Sequence, residues 1–335
     1  MAEPRSGQAA RCVETCFPFL LVVGDYMRRG PSAPWFIVVC GLMVIAAGAS
    51  ARAADAPTCR ELERRFDQIK AAITSTQLSL ALFSASDGGC VPLARRLLEA
   101  GTSLESRDRL GAMPLARAAR SGHLALVDLY LGRGATIDAR NLVGATALYA
   151  AVENERASTV ALLLGKGADP NLPGRSGVTP LAAAAFKGND RIVGELIARK
   201  ADPNVVDATG KSAMTYAAAR GFALIVRRLI DAGVDGKRAY GNDLTALMWA
   251  AGHEDGVGER AALDVLALLL DADAPIDAVD NRGRTALMIA AELGRAAIVE
   301  ALLKRGADRA IADKAGKRAG DLAADASLRA TLSAQ

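Results

Sequence analysis

TALMIAAELGRAAIVEALLKRGAD, Thr285–Asp308, holds two short helical patterns separated by a glycine and closed by Gly-Ala-Asp. Leu287, Ile289, Ala290 and Ala291 form an apolar face on the first pattern, and Ile298, Val299, Leu302 and Leu303 form one on the second. The spacing is helical. Two helices this short cannot bury such a face by themselves, so the stretch needs near-identical neighbours on which to stack.

The chain supplies them at a 33-residue period, with equivalent starts at Met113, Thr146, Thr179, Ser212 and Thr245, then a step of 40 to Thr285 and a further 33 to Arg318. In order, the copies open MPLARAARSGH, TALYAAVENER, TPLAAAAFKGN, SAMTYAAARGF, TALMWAAGHED and TALMIAAELGR. Leu80–Leu98 with Gly101 is a degenerate first copy, and Gly316–Leu332 is a truncated last one. The residue choices have physical reasons. A threonine or serine at the start of a helix accepts a bond from an orphan amide. Pro114 and Pro180 take the first helical position, where a missing N–H costs nothing. Small pairs (Ala118-Ala119, Ala184-Ala185, Ala217-Ala218, Ala250-Ala251, Ala290-Ala291) let the first helices of neighbouring copies approach closely. Gly111, Gly144, Gly177, Gly210, Gly283 and Gly316 mark the turns between copies, where a positive φ is expected.

This pattern resembles the ankyrin-repeat family, whose signature runs Asp-x-x-Gly-x-Thr-Pro-Leu-His-x-Ala-Ala, then Gly-His, a second apolar helix, and Gly-Ala-Asp-x-Asn. Thr179-Pro180-Leu181 matches its core, and Gly167-Ala168-Asp169 and Gly306-Ala307-Asp308 match its end. Six copies in register carry the resemblance, which covers about residues 78–335. It implies an all-α solenoid of about seven helix-turn-helix repeats joined by β-turn loops. Residues 54–77 precede it as an N-terminal capping helix and linker. The family's histidine is replaced throughout, by Ala116, Tyr149, Ala182, Thr215, Met248 and Met288, which removes its inter-repeat hydrogen bond. Lys200 and Asp273 stand where glycine precedes Ala-Asp, and Asp243 replaces a turn glycine, so those repeats are expected to be less regular. Stability in such arrays sums over repeats and their interfaces.

Of the 335 residues 51% are apolar and only 4% aromatic, so the core must be built from alanine, leucine, isoleucine and valine. The net charge of +4 gives no warrant for a nucleic-acid footprint, which needs a clustered basic face. Trp35–Ala47 is an apolar run of 13 residues, preceded by Arg28 and Arg29. It is short for a bilayer span and fits the hydrophobic region of a secretory signal. Ala51-Arg52-Ala53 places small residues where a signal peptidase reads, so cleavage is expected after Ala53, or alternatively after Ala51. Met27 begins a compact n-region, which makes residues 27–53 the signal peptide and residues 1–26 a mis-assigned start. An uncleaved anchor is the competing reading. The alanine-rich leader and body point to a bacterial periplasm.

The mature chain keeps two cysteines, Cys59 and Cys90, 31 positions apart. Export to an oxidising compartment predicts a disulfide stapling the N-terminal helix to the first repeat, stabilising by roughly 3–4 kcal/mol through loop entropy. The alternative is a pair of small buried thiols.

Little in the sequence supports chemistry. The chain has two histidines. His123 sits at the family's Gly-His turn. His253 opens the seven-residue insertion within Gly252–Arg260, together with Glu254, Asp255 and Glu259. One imidazole among adjacent carboxylates makes a poor metal site; a solvated loop or a contact element fits better. There is no nucleophile elbow, no general base beside a cysteine, and no phosphate-cradling loop. The expectation is a non-catalytic, cofactor-free, monomeric periplasmic scaffold that binds another protein, and neither nucleic acid nor, after cleavage, a membrane. A membrane-tethered module and a metal-dependent protein centred on residues 252–260 are the alternatives.

The resemblance places partners on the concave side, formed by turn tips and inner helices. By register the candidate contact residues are Arg109, Leu142, Val143, Arg175, Lys211, Asn242, Arg282, Arg284 and Lys314 at or beside the tips. Arg120, Glu153, Phe186, Lys187, Arg220 and His253 belong to the inner helices. This surface is apolar around Leu142-Val143 and basic toward the C-terminal end, and so suits an acidic or mixed partner. Intact mass and N-terminal sequencing of the exported form are expected to show a chain starting at Ala54; a native product retaining residues 1–26 would sink the leader assignment.

Overall fold

The computed structural model describes residues 58–69 and 73–333, all within one compact unit, Pro57–Gln335. The predicted leader, its cleavage point and the start at Met27 lie outside the described residues. Helix α1, Cys59–Ile69, is followed by seven helix pairs and a shortened eighth. In order they are α2 (Ser75–Gly88) with α3 (Val91–Glu99), α4 (Pro114–Ser121) with α5 (Leu124–Gly132), and α6 (Ala147–Glu153) with α7 (Ala157–Gly165). Next come α8 (Pro180–Lys187) with α9 (Asp190–Ala198), α10 (Ala213–Ala219) with α11 (Ala223–Asp231), and α12 (Ala246–Ala251) with α13 (Glu259–Asp271). The array closes with α14 (Ala286–Glu292) and α15 (Ala296–Lys304), then the short α16 (Ala319–Leu322) and α17 (Ala326–Ser333). Among the described residues there is no strand; only two isolated antiparallel bridges form, Ala239 with Thr245 and Ala312 with Arg318. No described helix is long and apolar enough to cross a membrane.

Capping follows the sequence. The hydroxyls of Thr146, Thr179, Ser212, Thr245 and Thr285 each accept from the amide three residues on, at 3.2–3.4 Å. The first inner helix begins at Ser75, ahead of the boundary at 78, because Thr74 and Gln77 form a reciprocal capping box there, satisfying two orphan donors. Every member of the five alanine pairs is completely buried. With no side chain beyond Cβ, successive inner helices pack closer to one another than most successive outer helices do. The outer helices contribute larger groups, such as Ile192, Val193 and Leu196 on α9, to one continuous core.

The turn glycines Gly111, Gly144, Gly177, Gly210, Gly283 and Gly316 all have positive φ, 74–82°. The sites where glycine is missing keep the same backbone. Lys200 (φ 64°), Asp273 (φ 59°) and Glu155 (φ 56°) are held left-handed by their repeats, a conformation that strains a residue carrying Cβ. The packing of neighbours, not the local residue, decides the conformation at these positions.

A disulfide joins Cys59 of α1 to Cys90 at the start of α3, with Cα atoms 5.3 Å apart. Around it Phe66 is buried, and the Arg96 guanidinium lies 5.1 Å over its ring while also pairing with Asp67. The helix α1 therefore covers the first repeat's otherwise open apolar edge. In the denatured, non-reduced mature protein neither cysteine is expected to react with a thiol reagent. Reduction is expected to lower the unfolding free energy by about 3 kcal/mol, read from denaturant midpoints; two reactive thiols before reduction would refute the bridge.

Candidate partner-binding surface

Seven tips lie between successive copies, and five are built the same way. Asp108 Oδ1 accepts from the amides of Leu110 and Ala112 at 2.8 and 2.9 Å. Asn141, Asp207, Asp280 and Asp313 accept from the amides two and four residues on in the same manner, at 2.7–3.1 Å. These are Asx turns, in which a short side-chain oxygen replaces a backbone acceptor. The carboxylates of Asp207, Asp280 and Asp313 are nearly buried in this role; Thr209 and Arg282 bond back to the carboxylates of their own turns, whereas Arg109, Leu110, Leu142, Val143 and Lys314 stand exposed on theirs.

Two tips depart from the rule. Gly174 stands at the Asx position because the Tyr149 ring fills the space: a Cβ at 174 would lie 2.6 Å from Tyr149 Cε1. Tyr240 is the other exception. Both tips turn instead on two consecutive left-handed residues, Ser176-Gly177 (φ 56° and 80°) and Asn242-Asp243 (φ 62° and 60°), the combination of a type I′ turn. Adjacent tips are tied by backbone bonds from Leu142 N to Leu110 O, Ala208 N to Ser176 O, Gly241 N to Gly210 O, Asn281 N to Asn242 O, and Lys314 N to Arg282 O, at 2.9–3.0 Å. Among the described residues no such bond joins Val143 to Arg175.

The structure separates the candidate contact residues into three groups. Arg109, Leu142, Val143, Arg175, Asn242 and Lys314 are exposed; Leu142 is 77% exposed and stands beside Leu110, 65% exposed on the preceding tip. Arg282 and Arg284 instead serve the fold. Arg282 pairs with Asp280 at 3.1 Å. Arg284, its side chain only 18% exposed, bridges Glu292 of α14 and, at 3.7 Å, the buried Asp313 of the next tip.

His253 is a correction: it is buried at 5% exposure and presents no contact surface. The reason is the insertion. Elsewhere a short connection joins inner to outer helix, as at 293–295, and the outer helix has nine residues. Here the connection is 252–258 and α13 has 13 residues, so part of the insertion lengthens a helix. The remaining loop is clamped to both neighbours. Glu254 N donates to Ala219 O at 2.9 Å, Arg295 of the next repeat pairs with Asp255 at 2.9 Å, and His253 Nδ1 lies 3.1 Å from Glu254 O. Val257 rests on Gly221 as Phe222 rests on Gly188 and His123 on Gly89, each within 3 Å of an added Cβ. His253 faces inward and Asp255 outward, so the imidazole and the carboxylates of the loop do not converge. Among the described residues no three His, Cys, Asp or Glu side chains are grouped to hold a metal ion. His123, at the start of α5, is structural: its Nε2 bonds Asp87 O of the preceding repeat at 2.8 Å.

The middle of the inner face carries a feature that single-residue reading missed. Tyr216 and Trp249 occupy the fifth position of their copies, where the two preceding copies have Ala150 and Ala183. Tyr216 meets Phe186 edge-on, ring centroids 5.6 Å apart. Lys211 Nζ lies 4.9 Å from the Trp249 centroid and 5.7 Å from that of Tyr216, and the Arg220 guanidinium lies 4.4 Å over Phe186. Tyr216 donates its hydroxyl to Asp207 at 2.5 Å, and burial together with that carboxylate pushes its phenol far above the usual range. Burial lowers the Lys211 ammonium below its ordinary value, against the opposing pull of Asp207 and Glu254. Aligning the copies position by position would have revealed the aromatic pair.

The family model for ankyrin repeats matches in overlapping blocks of three copies, at residues 80–174, 115–207, 181–259 and 257–313. The chain therefore belongs to the ankyrin-repeat family, whose repeats are protein–protein interaction modules. Among solved structures it is similar to the human ASB11 ankyrin repeat domain, with 24% identity, TM-score 0.59, and coverage of 66% of this chain and 96% of that one. It is also similar to the ankyrin repeat domain of Bcl-3, a member of the IkappaB family, with 24% identity, TM-score 0.57, and coverage of 67% and 99%. At this identity the likeness speaks for the fold. No curated protein matches the sequence.

The division of the arginines is testable by melting. Arg284→Ala is expected to lower stability by about 1–3 kcal/mol, because it leaves Asp313 buried without its cation, whereas Lys314→Ala is expected to change it by less than about 0.5 kcal/mol. Equal effects of the two would refute the assignment.

Proposed function

We propose that this chain is a non-catalytic, monomeric interaction scaffold of the periplasm that binds a protein partner through its turn tips and inner helices. One observation carries the reading. Five of the seven turns repeat an inward-facing Asx residue on a common backbone, while the residues outermost on the tips vary and several stand exposed: Arg109-Leu110, Leu142-Val143, Arg175-Ser176, Asn242 and Lys314-Ala315. A rigid frame with side chains that the frame does not dictate is the arrangement a recognition surface needs. The apolar exposure at Leu110, Leu142 and Val143 adds surface of the kind that marks interaction sites. The export part of the proposal rests on the leader in residues 27–53 and on the pairing of Cys59 with Cys90, which suits an oxidising compartment. No cofactor, nucleic acid or membrane contact is invoked.

A photo-crosslinking residue placed at Leu142 is expected to trap a discrete protein adduct in the periplasmic fraction, and the same residue at Leu224, exposed on α11, is expected to trap none. Equal adducts at both, or none at any tip position, would overturn the surface assignment. Release of the protein by osmotic shock without detergent is the expected outcome for a cleaved leader; retention in the membrane pellet would favour the tethered alternative.

A further inference from the structure

Along the inner face the chain neutralises its own cations at both ends. Near the N-terminus Arg117 of α4 pairs with Asp87 of α2 and, at 2.8 Å, with Asp108. Near the C-terminus Arg284 is held between Glu292 and Asp313. The middle is different. Lys211 is half-buried, its ammonium lies over Trp249 and Tyr216, and among the described residues no carboxylate reaches ion-pair distance from it. The two carboxylates that sense it are committed elsewhere. Asp207 accepts from the Tyr216 hydroxyl, the Thr209 hydroxyl and two turn amides. Glu254 faces Arg220 at 3.8 Å. Burial lowers the Lys211 ammonium below its ordinary value, and this desolvation works against folding wherever the lysine is charged in both states. Its cation–π contacts offset part of that cost. A half-buried cation with no ion-pair partner, set over Tyr216 and Trp249 with Phe186 against Tyr216, has the character of a binding element.

We propose that the aromatic patch of Phe186, Tyr216 and Trp249 on α8, α10 and α12 is the partner's main anchor point, where Lys211 receives a single Asp or Glu side chain and an adjoining apolar side chain of the same segment rests on Trp249 and Phe186. The proposal deepens the interaction-scaffold reading and rests on it. The chemistry favours a carboxylate on a peptide over a nucleic-acid backbone. Lysine is one point charge, not a fork or a basic stripe, and Glu153, Asp207 and Glu254 around the patch would repel a line of phosphates. Exposed Arg175 and Lys187, the cations that act on Glu153, extend the favourable potential toward the preceding repeat. Aromatic rings and a desolvated charge at the centre of a contact are the features of hot spots, where a few residues carry most of the binding energy.

The test uses the purified chain and a defined probe, a phage-displayed library of random dodecapeptides. Selected sequences are resynthesised and titrated by fluorescence anisotropy. Peptides carrying a carboxylate beside an apolar residue are expected to be enriched. Changing that Glu to Gln is expected to weaken binding about tenfold or more, and Lys211→Met is expected to do the same while leaving the melting temperature at or above that of the wild type. On Lys211→Met the Gln peptide should bind no worse than the Glu peptide, which is the coupling a direct pair requires. Trp249→Leu, a second variant of the same aromatic patch, should weaken both peptides, and Leu224→Ala, exposed on the outer helix α11, neither. Selected peptides that bind Lys211→Met as they bind the wild type would overturn the anchor point and leave the scaffold reading standing, as would a Lys211→Met variant that melts well below it. Failure to enrich any peptide would count against both. Binding of an oligothymidylate in place of peptides would overturn both in favour of a nucleic-acid partner.

Discussion

Alanine against alanine, between each inner helix and the next, is the contact on which the rest of this structure depends. Fully buried pairs from Ala118-Ala119 to Ala290-Ala291 let inner helices sit closer together than most outer helices. That close approach brings adjacent tips within reach of one another's backbone, which yields the bonds between tips from Leu110 to Lys314, with one break among the described residues between Val143 and Arg175. A larger residue at any of these positions would separate two repeats along their whole shared face. Because each repeat touches only its neighbours, such a fault would stay local in space but subtract from the sum that stabilises the array.

Once the stack is set, the backbone between helices has little freedom, and the side chains adapt to it. Five tips close with an Asp or Asn accepting from its own turn. The other two close by left-handed pairs, one of them because Tyr149 already occupies the Asx site. Tyr149 is one of the residues that replace the family's histidine. Its ring takes up space that elsewhere belongs to the next tip, and the tip changes type in response. The same logic accounts for Glu155, Lys200 and Asp273, which adopt a conformation suited to glycine because the repeats on either side require it.

The insertion after α12 shows how a polar stretch can serve structure. Half-exposed glycines and carboxylates read as a free loop. Folded, the stretch adds residues to α13, places Val257 on Gly221 in the position its counterparts fill with Phe222 and His123, and is pinned by Arg295 on one side and Ala219 on the other. The irregular repeat is thus bridged to both neighbours, and its lost regularity is made good by longer-range contacts.

The helices, caps, turn glycines and small-residue pairs were legible in the chain itself, because each is a local requirement repeated every 33 residues, and repetition turns weak signals into a firm one. The pairing of Cys59 with Cys90 followed from there being only two cysteines in the expected mature chain. What the sequence could not decide was which charged residues face a partner. Arg282, Arg284 and Lys314 look alike as letters, yet Arg282 and Arg284 are held by carboxylates, Arg284 by one of the following repeat, and Lys314 stands exposed. His253 and Lys211 likewise depend on distant neighbours, Arg295 beside His253 and Trp249 beside Lys211. Local periodicity determines the frame; the solvation and pairing of a charge are set by residues that only the stacked array brings beside it.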